Sequence, residues 1–228
     1  KRLPNKVIKK INDKAIIELI IERLKKIPNS KLIVATTKNV NDDKICKICK
    51  KNKVLFYRGK NNDVLSRFYE IALKYNLQTV IRCNADCPFL DVEILKKMLK
   101  IFKKKKYDYL SNILKPSFPS GLHIEIFNFY ALNKAHSEAT KKSDREHVTP
   151  FIYKNKRKFF IGSFKYKKDL SFHRWTIDYL EDFRFVKRVF KEFNYRNNFK
   201  MADLLALLKK KPEIMKFNYY IKKRQNLL

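Results

Sequence analysis

Gln78-Thr79-Val80-Ile81-Arg82-Cys83-Asn84-Ala85-Asp86-Cys87-Pro88 is the stretch whose reading decides the fold. Its first half is a short β-prone run, as in a buried strand of a parallel sheet. Asn84 to Pro88 then turn the chain, and Asp91 is placed to cap a helix over 92–102. A strand handed to a capped helix across a polar turn is the repeating unit of an α/β sheet. Ligands of such sheets lie outside the carboxyl ends of the strands. Asp86 therefore falls where chemistry is expected.

The alternation continues on both sides of this stretch. Upstream, Ile16, Ile17, Leu19, Ile20, Leu24 and Ile27 form an apolar stripe that predicts a helix over 13–27, ended by Pro28-Asn29-Ser30. A buried strand over 32–37, a helix over 41–51, a strand over 54–57 and a helix over 63–75 follow. Downstream, the pattern predicts a strand over 108–113, a Pro-rich loop over 115–120 and a strand over 121–127. A helix over 129–139 comes next, then one over 144–153 with Ser143 as N-cap and Glu146 at the capping-box position. A strand over 159–166 and helices over 180–192 and 201–210 complete the chain. The fold class is α/β, a mostly parallel mixed sheet flanked by helices.

The chain has 228 residues, enough for one sizeable core. A single domain over 1–228 is expected, with residues 199–228 as a C-terminal helical extension. No apolar run approaches the ~18 residues of a membrane span, and no secretory h-region opens the chain. A cytoplasmic location and no membrane partner are expected. The chain begins at Lys1 rather than Met, and a fragment is expected. The net charge of +32 invites a nucleic-acid reading. However, the chain holds 42 Lys, 12 Arg, 19 Asn and 22 Ile but only 3 Gly. That composition follows A/T-rich codons, and the lysines are spread along the chain. No specific nucleic-acid partner is expected, because clustering is the useful footprint. Cys46-x-x-Cys49 with Cys83-x-x-x-Cys87 has the outline of a zinc site, but the i, i+3 spacing of Cys46 and Cys49 in a helical pattern favours small hydrophobes.

Several residues could carry chemistry. Asp86, directly beyond a strand, suits either a divalent cation or a turn cap. Asp178 ends an extended segment, Arg174-Trp175-Thr176-Ile177-Asp178, in the same way; Glu181 and Asp182, just after it, suit a helix dipole. Two such carboxylates could meet over one metal ion. Arg2 and Lys6 lie in Lys1-Arg2-Leu3-Pro4-Asn5-Lys6, where they are phosphate ligands or solvated charge. Arg145, Glu146 and His147 share one helical turn, and His123 and Glu125 share one face of a strand.

Taken in order, Arg2-Leu3-Pro4-x-Lys6, Arg58-Gly59-x-x-x-Asp63-Val64-Leu65-x-Arg67, Asp86-Cys87-Pro88, Arg145-Glu146-His147-Val148-Thr149-Pro150 and Arg174-Trp175-Thr176-x-Asp178-x-x-x-Asp182 resemble the cytidylyltransferase family of the spore-coat polysaccharide type. That family is related to acylneuraminate and ketodeoxyoctulosonate cytidylyltransferases. The closing Asp203-Leu204-Leu205, Lys211-Pro212-Glu213 and Asn218 resemble its tail.

The resemblance implies a Rossmann-like nucleotide-diphospho-sugar transferase fold. It implies CTP and a small sugar as substrates, Mg²⁺ as cofactor, and a CMP-sugar with pyrophosphate as products; a homodimer stays open. Asp86 and Asp178 would bind Mg²⁺, and Lys6 would join them in catalysis. Arg2, Lys6, Arg58, Asp63, Arg82 and Asn84 would face the nucleotide. Glu125, Arg145, Glu146, His147 and Arg174 would line the sugar side. Three departures stand out. A strand and glycine-containing loop expected ahead of Arg2 are missing, His123 replaces a usual Asp, and Ala85 replaces a frequent Gly. The alternative function is a non-catalytic relative acting as a binding or scaffolding module.

Overall fold

The computed structural model describes residues 2–221. A short hairpin, β1 (Lys10–Ile11) and β2 (Lys14–Ala15), leads into α1 (Ile16–Leu24). Glu18 accepts the backbone N–H of Ala15 at 2.8 Å and so fixes the start of α1, which the stripe alone placed too early. β3 (Ile33–Thr37), α2 (Asp43–Lys51) and β4 (Leu55–Gly59) follow, and β3 pairs in parallel with β4. Next come α3 (Val64–Lys74), β5 (Thr79–Arg82), α4 (Val92–Lys105) and β6 (Tyr109–Ser111). Asp91 caps α4 as expected, accepting from the N–H groups of Glu93 and Ile94.

β7 (Glu125–Asn128) and α5 (Phe129–Glu138) come next. The predicted strand over 121–127 starts late. The side chain of Asn112 binds both the carbonyl of Leu122 and the N–H of Ile124, replacing a strand ladder there. The predicted helix over 144–153 is two helices, α6 (Lys142–His147) and α7 (Pro150–Lys154). Pro150 lacks an N–H and opens α7, and Val148 turns the chain at φ 73°. Ser143 therefore lies inside α6 and does not cap it; Lys141 holds the N-cap position without a side-chain bond. β8 (Ile161–Ser163), α8 (Leu180–Glu192), α9 (Met201–Lys210) and a 3-10 segment (Pro212–Phe217) complete the described chain.

The main sheet has the order β5-β7-β6-β8. β7 runs antiparallel to both neighbours, while β6 and β8 are parallel. Hence β5, β6 and β8 point one way, in a mixed sheet of mostly parallel sense. One face packs against α4, α8, α9 and the 3-10 segment through Leu95, Met98, Phe190 and Ile214. The other packs against α3, α5 and α7 through Leu65, Leu132 and Ile152. At about 25 cal/mol per Å² of apolar surface, these two layers dominate the stability.

Among the described residues, β3 and β5 have no strand between them. A cavity of about 870 Å³ separates them, lined by Ile17, Ile21, Val34, Phe68, Ile71 and Ile81 among others. Any strand ahead of Arg2 lies outside the described residues.

Candidate active site

The carboxyl end of β5 turns at Asn84, whose carbonyl accepts the N–H of Cys87 at 3.2 Å. That turn exposes Asp86 at the sheet edge. The extended segment ending at Asp178 is stitched directly to it, because the N–H of Ile177 donates to the carbonyl of Asp86 at 3.0 Å. The N-terminal segment joins from a third direction, with the N–H of Leu3 donating to the carbonyl of Asp178 at 2.6 Å. These three backbone paths bring Lys6, Asp86 and Asp178 together. Lys6 Nζ donates to Asp86 Oδ2 at 2.6 Å and to Asp178 Oδ1 at 2.8 Å.

Burial works against the charge of Lys6, but the two carboxylates outweigh it and raise its pKa. Burial likewise opposes the charge of Asp178, and Lys6 with Arg174 overcomes it to hold the carboxyl below its usual range. Arg174 grips Asp178 Oδ2 through Nη2 at 2.9 Å and Asp182 Oδ1 through Nε at 2.8 Å. Lys6 and Arg174 thus face three carboxylates, Asp86, Asp178 and Asp182. The cluster has a surplus of negative charge and attracts a further cation.

This arrangement fits Mg²⁺. An ammonium already stands within 2.8 Å of one oxygen from each of Asp86 and Asp178, so a cation there meets both. Mg²⁺ takes one or two carboxylates and completes its shell with phosphate oxygens and water. Asp86 and Asp178 are the residues that would hold it.

The remaining predicted residues fall into separate groups. Arg82, the last residue of β5, pairs with Glu125 across the β5–β7 ladder. Glu125 is fully buried and also accepts from the hydroxyls of Tyr109 and Thr149. His123 precedes β7 rather than lying within it. Burial lowers its pKa, with Glu125, Asp86 and Arg82 as its charged neighbours. Asn84 lines the cavity mouth, and Arg2 is exposed.

Arg58 lies at the carboxyl ends of β3 and β4. It donates to the carbonyls of Thr37 and Asn39, each at 2.8 Å, and pairs with Asp43 at 2.7 Å. Asp63 caps α3 through the N–H of Ser66 and pairs with Arg145 at 2.8 Å. Arg145 also binds the carbonyls of His136 and Ala139, which ties α6 to α5 and α3. Glu146 and His147 are exposed on α6. The structure therefore brings together Lys6, Asp86, Asp178 and Arg174, and separately Arg82 and Glu125. It sets Asp63 with Arg145 in a helix junction.

Thr149 and Tyr109 were not anticipated; the pairing of β6 with β7 brings Tyr109 near Glu125, and the turn between α6 and α7 brings Thr149. Asp182 was read as a dipole partner, and its spacing of four from Asp178 was the available signal for more.

The chain matches the profile of the cytidylyltransferase family over residues 1–226. It belongs to the cytidylyltransferase family. This family member is 35% identical to an uncharacterized protein of Methanocaldococcus jannaschii, over 98% of this chain and 92% of that one. It is 25% identical to the spore coat polysaccharide biosynthesis protein SpsF of Bacillus subtilis, over 93% of this chain and 90% of that one. The structure of a cytidylyltransferase from Leptospira borgpetersenii superposes with a TM-score of 0.90 at 33% identity, covering 94% of this chain and 91% of that one. CMP:2-keto-3-deoxy-manno-octonic acid synthetase complexed with CTP shares the fold, with a TM-score of 0.63 at 13% identity, over 85% of this chain and 94% of that one. The nucleotidyltransferase-like α/β fold expected from the motifs is thus the fold observed. Among the described residues, no helix is long and apolar enough to cross a membrane.

Proposed function

We propose that this cytidylyltransferase joins CMP from CTP to a sugar, a sugar acid or unusual deoxy-sugar, for surface polysaccharide synthesis in the cytoplasm. The observation that carries the reading is the meeting of Asp86 and Asp178 on one cation, the Lys6 ammonium, at the carboxyl end of β5. In the reaction, a sugar hydroxyl oxygen bonds to the α-phosphorus of CTP and loses its proton. The bond from that phosphorus to the oxygen bridging to the β-phosphate breaks, and pyrophosphate leaves. Catalysis of this kind rests on positioning and charge neutralisation.

Asp86 and Asp178 would hold Mg²⁺, which would supply charge neutralisation for the phosphates. Lys6 would supply a second positive charge beside the metal for the phosphates, and the exposed Arg2 a third. On the acceptor side, His123 offers a polar contact beside the Arg82–Glu125 pair, whose own groups are engaged with each other. Arg145 is engaged with Asp63, and Arg174 with Asp178 and Asp182, so neither guanidinium is counted among the acceptor contacts.

The test follows pyrophosphate release from each of the four ribonucleoside triphosphates, with Mg²⁺ and a panel of sugar acids and deoxy-sugars. Release is expected with CTP and one class of sugar. Asp86→Asn and Asp178→Asn each lower that rate on the order of 10²–10³-fold, the cost of removing a preorganised charge contact. Wild-type turnover in either variant refutes the assignment. CTP binding without release from any sugar favours the non-catalytic binding module instead.

A further inference from the structure

Asp178 has its two carboxylate oxygens assigned to different tasks. Oδ1 faces Lys6 and Asp86, while Oδ2 is held by Arg174 Nη2 at 2.9 Å. The orientation of the carboxylate is therefore set by where Arg174 stands. Arg174 is set in turn by Asp182, which takes its Nε on Oδ1 at 2.8 Å and its Nη2 on Oδ2 at 2.9 Å. A two-pronged grip of this kind fixes the guanidinium plane as well as its distance.

Asp182 also holds the backbone that carries the metal ligand. Its Oδ2 accepts the N–H of Asp178 at 2.9 Å and the N–H of Tyr179 at 3.0 Å. The far end of the chain closes the assembly. Asn218 Nδ2 donates to the carbonyl of Arg174 at 2.9 Å and to Asp182 Oδ1 at 3.1 Å. Asn218 is buried there because the 3-10 segment before it packs on α8, with Ile214 fully enclosed. Each member of the chain Asn218, Asp182, Arg174, Asp178 is thus oriented by the one behind it.

We propose that Asp182, Arg174 and Asn218 are positioning residues that preset Asp178 for a divalent cation, which makes the C-terminal segment part of the metal site. The inference rests on the metal role given to Asp178 above. Arg174 then acts on the cation through Asp178 and not on the acceptor sugar. Groups behind a metal ligand commonly change metal affinity by about 10- to 100-fold when altered.

The test measures Mn²⁺ binding by electron paramagnetic resonance, with and without CTP, on wild-type protein and on Arg174→Lys and Asn218→Ala. Arg174→Lys keeps the charge but loses the fork, and its Mn²⁺ dissociation constant is expected to rise about 10- to 100-fold. Asn218→Ala, one step further back, is expected to raise it by a smaller factor while the circular dichroism spectrum stays wild-type. A purely structural role lowers the melting temperature and leaves Mn²⁺ affinity untouched. If Arg174→Lys does not fold, Asn218→Ala decides. Wild-type affinity in the folded variants overturns the inference alone. Failure of the wild-type protein to bind Mn²⁺ under either condition overturns the metal reading of Asp86 and Asp178, and this inference with it.

Discussion

Asp178 and Asp86 face the same ammonium, yet the two walls that carry them are built differently. Behind Asp178 lies a closed network: Arg174 and Asp182 are 9% and 0% exposed, and each of their charged groups has a partner. Behind Asp86 lies β5, paired with β7 alone among the described residues. Apart from Lys6, its carboxylate has the thiol of Cys87 at 3.5 Å, whose pKa burial pushes well above the ordinary value. One half of the cation site is preset by charge pairing. The other half depends on a backbone turn and on the stitch from Ile177.

The sharpest break in this comparison comes from Asp182→Ala. It leaves the Arg174 guanidinium buried without its main partner, which costs about 3–5 kcal/mol for a pair of this kind. A urea melt reads that loss directly. Lys6→Met is the matched change on the open side, where the side chains of Lys6, Asp86 and Asp178 are 22–25% exposed. It should cost less than Asp182→Ala, because these three groups keep more contact with water. Equal losses in the two variants would mean that the walls are not different in kind.

A smaller effect tests the charge on Asp178. Its folded pKa lies below its ordinary value of 3.8. A depressed carboxyl contributes stability that is present above the unfolded pKa and is lost as pH falls through the folded one. Stability of the wild-type protein should therefore decline below about pH 4, and Asp178→Asn should flatten that part of the decline. Melting temperatures between neutral and acidic pH check it. An unchanged acid slope in the variant would place the titrating charge elsewhere.

Much of the frame was legible because it is local. The β5–turn–α4 unit carries its own signals: an apolar run, a proline and an N-cap aspartate whose side chain bonds where capping chemistry requires. The break between α6 and α7 was also local and was missed, although Thr149-Pro150 marks it. The hairpin over 10–15 was missed for another reason, since two-residue strands have no periodicity to read. Partnerships between distant residues were not legible. Nothing in the sequence says that Arg145 turns to Asp63, or that Asn218 reaches Asp182, because those bonds are made only after the helices pack. Asp86 and Asp178 were an intermediate case: each was marked by its place after an extended segment, while Lys6 was tied to them only through the family resemblance and reaches them through packing.

The net charge of +32 has a consequence for how the protein behaves in a tube. Like charges push copies of the chain apart. Salt shortens the reach of that repulsion, to about 8 Å at physiological ionic strength. Colloidal stability of this chain thus depends on ionic strength, with dilute salt keeping it dispersed.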